Sequence, residues 1–115
     1  MEFKVTKAGG EGNLSMVDVQ GEIDVYSSPK LREKIMEFFE EGTSTFAVNL
    51  TNVSYIDSTG LGVLIGGLRR AREKDGQVYL VFSAQRLKRI FEITGLDKNF
   101  TIVEKVENLP KPQKP

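Results

Sequence analysis

Short strand-like runs alternate with helix-like runs along most of this chain of 115 residues. Five runs are apolar or alternate with a period of two, as strands do: residues 3–7, 14–20, 46–50, 78–82 and 101–103. Three runs with apolar residues at helical spacing lie between them, after Ser28, from Gly60 and after Ser83. The order β-β-α-β-α-β-α-β predicts an α/β fold, in which a mostly parallel sheet begins with an antiparallel hairpin and carries helices packed on it.

The ends of the three helices carry recognisable signals. A hydroxyl side chain stands at the start of each helix, and Ser28 is followed directly by proline, so we expect Ser28, Ser58 and Ser83 to act as caps. Gly42 and Gly95 stand where glycine commonly ends a helix.

The length predicts one domain, over residues 1–108, followed by a Pro/Lys tail over 109–115 that we expect to be flexible. The first residues lack the apolar core of a signal peptide, and the longest apolar stretch, residues 60–68, is too short to span a bilayer. We therefore expect a cytoplasmic monomer that does not bind membranes.

The missing residue types exclude several kinds of chemistry. Cysteine and histidine are both absent from the sequence, which removes disulfides, thiolate nucleophiles, zinc ribbons and the commonest general base. Sixteen basic residues balance sixteen acidic ones, whereas a nucleic-acid-binding protein usually carries a basic excess. We expect no catalytic residue, no metal, no cofactor and no nucleic-acid partner.

That balance hides an uneven distribution of charge. Residues 1–57 hold ten acids and five bases, and residues 58–115 hold six acids and eleven bases. A fold that keeps the halves apart would have an acidic face and a basic face, suited to a charged partner.

Two predicted loops follow strands that should end at the same edge of the sheet, where such folds usually bind ligands and partners. Residues 21–26 contain Glu22 and Asp24, and residues 51–57 lead through Asp57 to Ser58 and Thr59. Ser58 has two interpretations, a helix cap or the acceptor of a phosphoryl group. Asp24 also has two, since it could bond its own backbone or contact a partner.

The second helix contains four glycines, Gly60, Gly62, Gly66 and Gly67. Each costs about 1 kcal/mol relative to alanine inside a helix, so four of them need a reason. Either another part of the protein approaches closely, or a partner needs a surface free of side chains.

Three segments together resemble the signature of the STAS domain. They are Gly21-Glu22-Ile23-Asp24, Val48-Asn49-Leu50 and Asp57-Ser58-Thr59-Gly60-Leu61-Gly62-Val63-Leu64. The resemblance is strongest to the bacterial anti-sigma-factor antagonists and extends from about Phe3 to about Val106.

This resemblance implies a partner switch controlled by phosphorylation. The family's acceptor serine corresponds to Ser58, and its kinase is the cognate anti-sigma factor. The unphosphorylated antagonist binds that factor and releases a sigma factor, and a metal-dependent serine phosphatase resets the switch. Thr59, where relatives often have serine, becomes a minor second acceptor. The implied partner-binding residues are Glu22, Asp24, Asp57, Thr59, Gly60 and Gly62.

The carboxyl terminus departs from the family, because Pro110 and Pro112 leave little room for the longer last helix of other members.

Three alternatives remain beside this function. A phosphorelay receiver would use Asp57 as acceptor, but it needs an acidic pair after its first strand, where this chain has Ala8-Gly9-Gly10. A STAS module of another stress-signalling assembly would share the same motifs. A small hydrolase or nucleotide-binding protein would need a catalytic base or a phosphate-binding loop, and the sequence contains neither signature.

Overall fold

The computed structural model describes residues 4–8 and 14–110 of the chain. Within these residues the secondary structure follows the predicted order: β1 (Lys4–Ala8), β2 (Met16–Ile23), α1 (Ser28–Glu40), β3 (Phe46–Ile56), α2 (Ser58–Glu73), β4 (Val78–Val81), α3 (Gln85–Thr94) and β5 (Thr101–Val103). Short 3₁₀ turns cover Leu96–Lys98 and Val106–Asn108. The predicted α/β class is confirmed.

The strands lie in the sheet in the same order as in the chain, β1-β2-β3-β4-β5. β1 runs antiparallel to β2, and each later strand runs parallel to the one before it. The predicted amino-terminal hairpin is therefore confirmed, although Phe3 and the connecting residues 9–13 lie outside the described residues.

The three helices cover one face of the sheet. Phe46 of β3 stacks on Phe38 and packs edge-on against Phe39, both in α1, with ring centroids 5.0 and 5.6 Å apart. Phe82, which follows β4, stacks on Phe91 of α3 at 5.2 Å, and the strand register puts Phe46 and Phe82 on the same side of the sheet. α1 and α2 also contact each other. This arrangement follows from right-handed crossovers that all step across the sheet in one direction.

β3 is longer than the sequence pattern indicates. The prediction of a loop over residues 51–57 is wrong, because β3 continues to Ile56, and Gly21–Ile23 likewise belong to β2 rather than to a loop. Val53 and Ile56 are buried and pair with Gly21 and Ile23. The register of β2 against β3 shifts along this stretch, which breaks the alternation that would have indicated a strand.

Two predicted caps are also wrong. α1 begins at Ser28 itself, and Ser27, the residue before it, makes no side-chain hydrogen bond to the helix. α3 begins after Ala84, so the exposed Ser83 lies one residue too early to cap it. A capping side chain must come from the residue that directly precedes the helix, and small shifts in the boundary therefore change which side chain has that role.

The predicted glycine ends of α1 and α3 are confirmed. Gly42 and Gly95 have the left-handed φ values of 85° and 75° that glycine adopts without strain. After α1, the amide of Thr43 donates to the carbonyl of Phe38 at 2.8 Å and that of Gly42 to Phe39 at 3.0 Å, the paired bonds of a Schellman motif.

The described part of the chain ends soon after β5. Only the short turn over Val106–Asn108 forms before Pro110, and residues 111–115 of the predicted tail lie outside the described residues. Of the helices in residues 4–8 and 14–110, none has the length and apolar character needed to cross a bilayer.

Candidate functional site

The two motif segments meet at the carboxyl edge of the sheet. Ile23 and Ile56, the last residues of β2 and β3, are paired in the register. The next amide along, that of Asp57, donates to the carbonyl of Ile23 at 3.0 Å. The turn that contains Asp24 therefore lies beside the start of α2, as the parallel sheet predicts.

Asp57 caps α2. Its backbone is extended, with φ −101° and ψ −174°, and its Oδ1 accepts hydrogen bonds from the amides of Thr59 at 2.9 Å and Gly60 at 3.1 Å. The prediction that Ser58 caps this helix is therefore wrong, because Ser58 is already its first residue. Aspartate is among the preferred capping residues, and its charge is also favourable at the positive end of the helix dipole.

The hydroxyl of Ser58 is exposed and available. Ser58 lies in the first turn of α2 with its side chain in solvent, and no hydrogen bond to its hydroxyl occurs within the described residues. No rearrangement of the fold is needed for another molecule to reach this oxygen.

The hydroxyl of Thr59 is exposed too, but it already has a partner. It donates a short hydrogen bond to Oδ1 of Asp57, the same oxygen that accepts the amides of Thr59 and Gly60. The hydroxyls of Ser58 and Thr59 are thus both exposed, but within the described residues only that of Thr59 makes a hydrogen bond.

The hydrogen bonds to Asp57 also change its acidity. The hydroxyl of Thr59 and the amide of Gly60 hold the pKa of the Asp57 carboxyl below its ordinary value of 3.8, and the opposing effect of desolvation does not reverse this. Asp57 therefore carries a full negative charge at neutral pH, directly beside Ser58.

The carboxylate of Asp24 bonds to its own turn. Its Oδ1 accepts the amides of Tyr26 at 2.9 Å and Ser27 at 3.0 Å, and the hydroxyl of Ser27 approaches the same oxygen at 3.2 Å. Of the two interpretations of Asp24, the geometry favours the one in which it organises the loop. Glu22, in contrast, is exposed at the end of β2.

The glycines of α2 fall into two pairs. A Cβ on Gly60 would lie 2.5 Å from Cγ2 of Ile23 and 2.7 Å from Cγ1 of Ile56, and one on Gly67 would lie 3.3 Å from Cγ2 of Ile35. Gly62 and Gly66 are exposed, and an added Cβ there would meet nothing within 4 Å. Gly60 is buried and Gly62 is exposed, so Gly62 is the more accessible of these two implied partner contacts, and both stay predictions.

Gly62 and Gly66 line an open groove between α1 and α2. The groove has a volume of about 390 Å³, and Thr59 borders it, so it is continuous with the start of α2. Arg32 of α1 and Arg70 of α2 also line it.

Two exposed apolar residues next to this site have no role in the sequence pattern. Val25 is 56% exposed and Tyr26 is 88% exposed, in the turn between β2 and α1. The sequence does contain a signal for them, because two large apolar residues follow directly after the Gly-Glu-Ile-Asp motif, where a turn exposed to solvent is expected.

The comparisons with known proteins agree with the fold and with the motifs. The family model described as the STAS domain matches residues 6–109. The anti-sigma-B factor antagonist of Staphylococcus epidermidis is 46% identical over 80 residues, which cover 70% of this chain and 74% of that protein.

Two solved structures share the fold at lower identity. An anti-sigma factor antagonist from Mycobacterium paratuberculosis matches with a TM-score of 0.83 and 24% identity, over 93% of this chain and 90% of that one. The phosphorylated form of the Bacillus cell fate determinant SpoIIAA matches with a TM-score of 0.68 and 21% identity, over 92% of this chain and 95% of that one.

Substitution by alanine should change the free energy of unfolding in opposite directions at an exposed and at a buried glycine of α2. Gly62→Ala should raise the free energy of unfolding by about 0.5–1 kcal/mol, since it adds helix propensity in open space. Gly60→Ala should lower it by about 1–3 kcal/mol, because the new methyl group overpacks Ile23 and Ile56. Urea unfolding followed by circular dichroism measures both, and equal stabilisation by the two substitutions would contradict the assignment.

The cap also predicts a pH dependence. Because the pKa of Asp57 is lowered by folding, its ionised form contributes stability above pH 3.8, and this contribution is lost as the pH falls through the lower pKa of the folded state. Asp57→Asn cannot ionise, so the stability advantage of the wild type over this variant should shrink as the pH falls below about 4. Urea unfolding of both proteins between pH 3 and pH 7 tests this. If the difference in the free energy of unfolding between wild type and Asp57→Asn stays constant with pH, the ionised Asp57 carboxylate is not its cause.

Proposed function

The chain belongs to the STAS domain family, and from this we propose that it is an anti-sigma-factor antagonist switched off by phosphorylation of Ser58. In this proposal the unphosphorylated form binds an anti-sigma factor that is also a serine kinase, and a sigma factor is thereby released. The chain does no chemistry of its own and serves as the substrate of the kinase.

The observation that carries the proposal is the state of the Ser58 hydroxyl. It is exposed in the first turn of a helix, and no group of the described residues bonds to it. The two chain neighbours of Ser58 touch both surfaces, because Asp57 bonds to Ile23 at the base of the Asp24 turn and Thr59 borders the α1–α2 groove. The name of the staphylococcal relative supports the same kind of partner.

The phosphoryl transfer needs one free hydroxyl. The Oγ of Ser58 attacks the γ-phosphorus of a nucleoside triphosphate, an Oγ–P bond forms and the bond from phosphorus to the β–γ bridging oxygen breaks. The nucleoside diphosphate leaves, and the hydroxyl proton passes to a base of the kinase or to water. Ser58 meets this requirement without breaking a hydrogen bond to any residue that the structure describes.

Thr59 is a poorer acceptor for a physical reason. Its hydroxyl would first have to leave Asp57 and so weaken the cap of α2. Asp57 does not compensate by acting as a base, because a carboxylate that already accepts two amides and has a lowered pKa holds a proton weakly. We therefore propose Ser58 as the acceptor and do not keep Thr59 as a second one.

Phosphorylation should change the surface and leave the fold intact. A phosphate adds about −1.5 to −2 charges at neutral pH, and the positive end of the α2 dipole tolerates negative charge. The ionised Asp57 is adjacent, so the phosphate makes this edge of the sheet strongly negative and bulky. A partner that fits closely around the free hydroxyl would then be excluded by charge and by size.

The remaining parts of the switch follow from the same proposal. The phosphate on Ser58 is exposed, and a metal-dependent serine phosphatase could remove it without unfolding the helix. Glu22, Asp57, Thr59 and Gly62 are the predicted contact residues that remain accessible around Ser58 or on the adjoining helix. A STAS module of another stress-signalling assembly would use this surface with a different partner.

The first test is calorimetric titration with the anti-sigma-B factor of Staphylococcus epidermidis. The wild type and Ser58→Ala should both bind, because the hydroxyl is modified by the partner and not needed for docking. Ser58→Asp should bind about tenfold more weakly or worse, since it adds a like charge beside Asp57.

Thr101→Asp provides the matched control for this test. Thr101 is exposed at the start of β5, at the opposite edge of the sheet, so the same change in charge should leave binding unaltered. Equal affinity of wild type and Ser58→Asp would rule out the switch, and failure of the wild type to bind would rule out the proposed partner.

The second test maps the phosphorylated residue. After incubation with that factor, ATP and Mg²⁺, mass spectrometry should find one phosphate, on Ser58, and none on Thr59. Ser58→Ala should remain unmodified, and Ser58→Ala combined with Asp57→Ala should gain phosphate on Thr59, because the hydroxyl of Thr59 is then released. An acid-labile phosphate on Asp57, formed from acetyl phosphate, would instead support the receiver alternative.

A further inference from the structure

The turn between β2 and α1 presents two apolar side chains to solvent. Val25 is 56% exposed and Tyr26 is 88% exposed, and they are adjacent in the chain. Single exposed apolar residues are ordinary on protein surfaces. A neighbouring pair on a rigid turn beside a candidate modification site needs a further explanation.

Five hydrogen bonds hold this turn in one conformation. Asp24 accepts the amides of Tyr26 and Ser27 at 2.9 and 3.0 Å, and its own amide donates to Oγ of Ser27 at 2.9 Å. The hydroxyl of Ser27 donates to the carbonyl of Glu22 at 2.7 Å, and the amide of Ser28 donates to the carbonyl of Asp24 at 2.8 Å. Oδ1 of Asp24 and the hydroxyl of Ser27 are thus used inside the turn, whereas the side chains of Val25 and Tyr26 extend into solvent.

The turn is also tied directly to the start of α2. The carbonyl of Ile23, one residue before Asp24, accepts the amide of Asp57, one residue before Ser58. A molecule that closes around the hydroxyl of Ser58 therefore lies against the edge of the sheet from which this turn projects.

We propose that Val25 and Tyr26 form an apolar anchor that inserts into an apolar pocket of the anti-sigma factor, and that Asp24 is a positioning residue that holds the anchor. The inference rests on the proposed function, because the partner is the one named there. It changes the role of Asp24, whose carboxylate acts through the turn and does not contact the partner.

The physical reason is that this anchor loses little freedom on binding. An aromatic side chain buries about 150–250 Å², and tyrosine is enriched among the residues that dominate binding energies at interfaces. Binding usually has to order the loop that makes the contact, and here the internal hydrogen bonds have already ordered it. Contact area is therefore gained without the usual loss of backbone entropy.

The test is titration of variants with the anti-sigma-B factor of Staphylococcus epidermidis. Tyr26→Ala and Val25→Ser should each weaken binding about tenfold or more. Ile93→Ala removes a 78% exposed apolar side chain from α3, away from the turn, and should leave the affinity unchanged. If the wild type binds and Tyr26→Ala binds equally well, the anchor is excluded while the proposed function stands.

Asp24 is tested by one conservative substitution, to asparagine, and by one that removes the carboxylate, to alanine. Asparagine also has an oxygen that accepts the two amides, so Asp24→Asn should bind within about twofold of the wild type, whereas Asp24→Ala should lose affinity as Tyr26→Ala does. Asp24→Ala should add little further loss to a variant that already carries both Val25→Ser and Tyr26→Ala, because the anchor that Asp24 holds is then already removed. Equal losses from Asp24→Asn and Asp24→Ala would instead show that the charge itself contacts the partner.

Sedimentation equilibrium of the protein alone completes the experiment. A monomer at the titration concentrations is the expected result. Self-association that Tyr26→Ala abolishes would assign the anchor to a second copy of this chain and overturn the proposal. Absence of binding by the wild type would reject the proposed function itself.

Discussion

Asp57 connects the sheet, the second helix and the candidate site. Its amide extends the hydrogen bonding of β2 and β3 by one further bond to Ile23, and its carboxylate begins α2 by accepting the next free amides. The same carboxylate accepts a hydrogen bond from the hydroxyl of Thr59, whereas the hydroxyl of Ser58 has no such bond to any residue in the described part of the chain. One side chain thus fixes where the helix starts, where a negative charge lies and which of two neighbouring hydroxyls is already bonded.

The two acidic residues of the motifs are used in a similar way. Asp24 and Asp57 each follow a buried isoleucine at the end of a parallel strand, and each carboxylate accepts hydrogen bonds from amides two and three residues later in the chain. These two acidic residues thus shape a turn in one case and the start of a helix in the other. The side chains exposed beside these two carboxylates are an apolar pair, Val25 and Tyr26, in one case and the hydroxyl of Ser58 in the other.

The fold class, the order of the elements, the hairpin and the glycine ends of α1 and α3 could all be predicted from the sequence. The period of the apolar residues and the glycines that end helices are local signals, which do not depend on the rest of the fold. The sequence was insufficient for the caps at Ser28, Ser58 and Ser83, where a shift of one residue changes which side chain can reach the free amides. The full length of β3 was hidden because its pairing with β2 changes register. The roles of Gly60 and Gly62 could not be separated by sequence, since only three-dimensional packing shows which glycine lies against Ile23.

The strands lie in the sheet in the same order as in the chain, and this has a consequence for folding. Each new strand of the sheet docks beside the strand made before it, so each strand can pair as soon as the next one has been made. During synthesis, β1, β2, α1 and β3 can assemble before β4 has left the ribosome. Both loops of the candidate site belong to this first portion or follow it directly, so its geometry can form early, while the later strands add the remaining core.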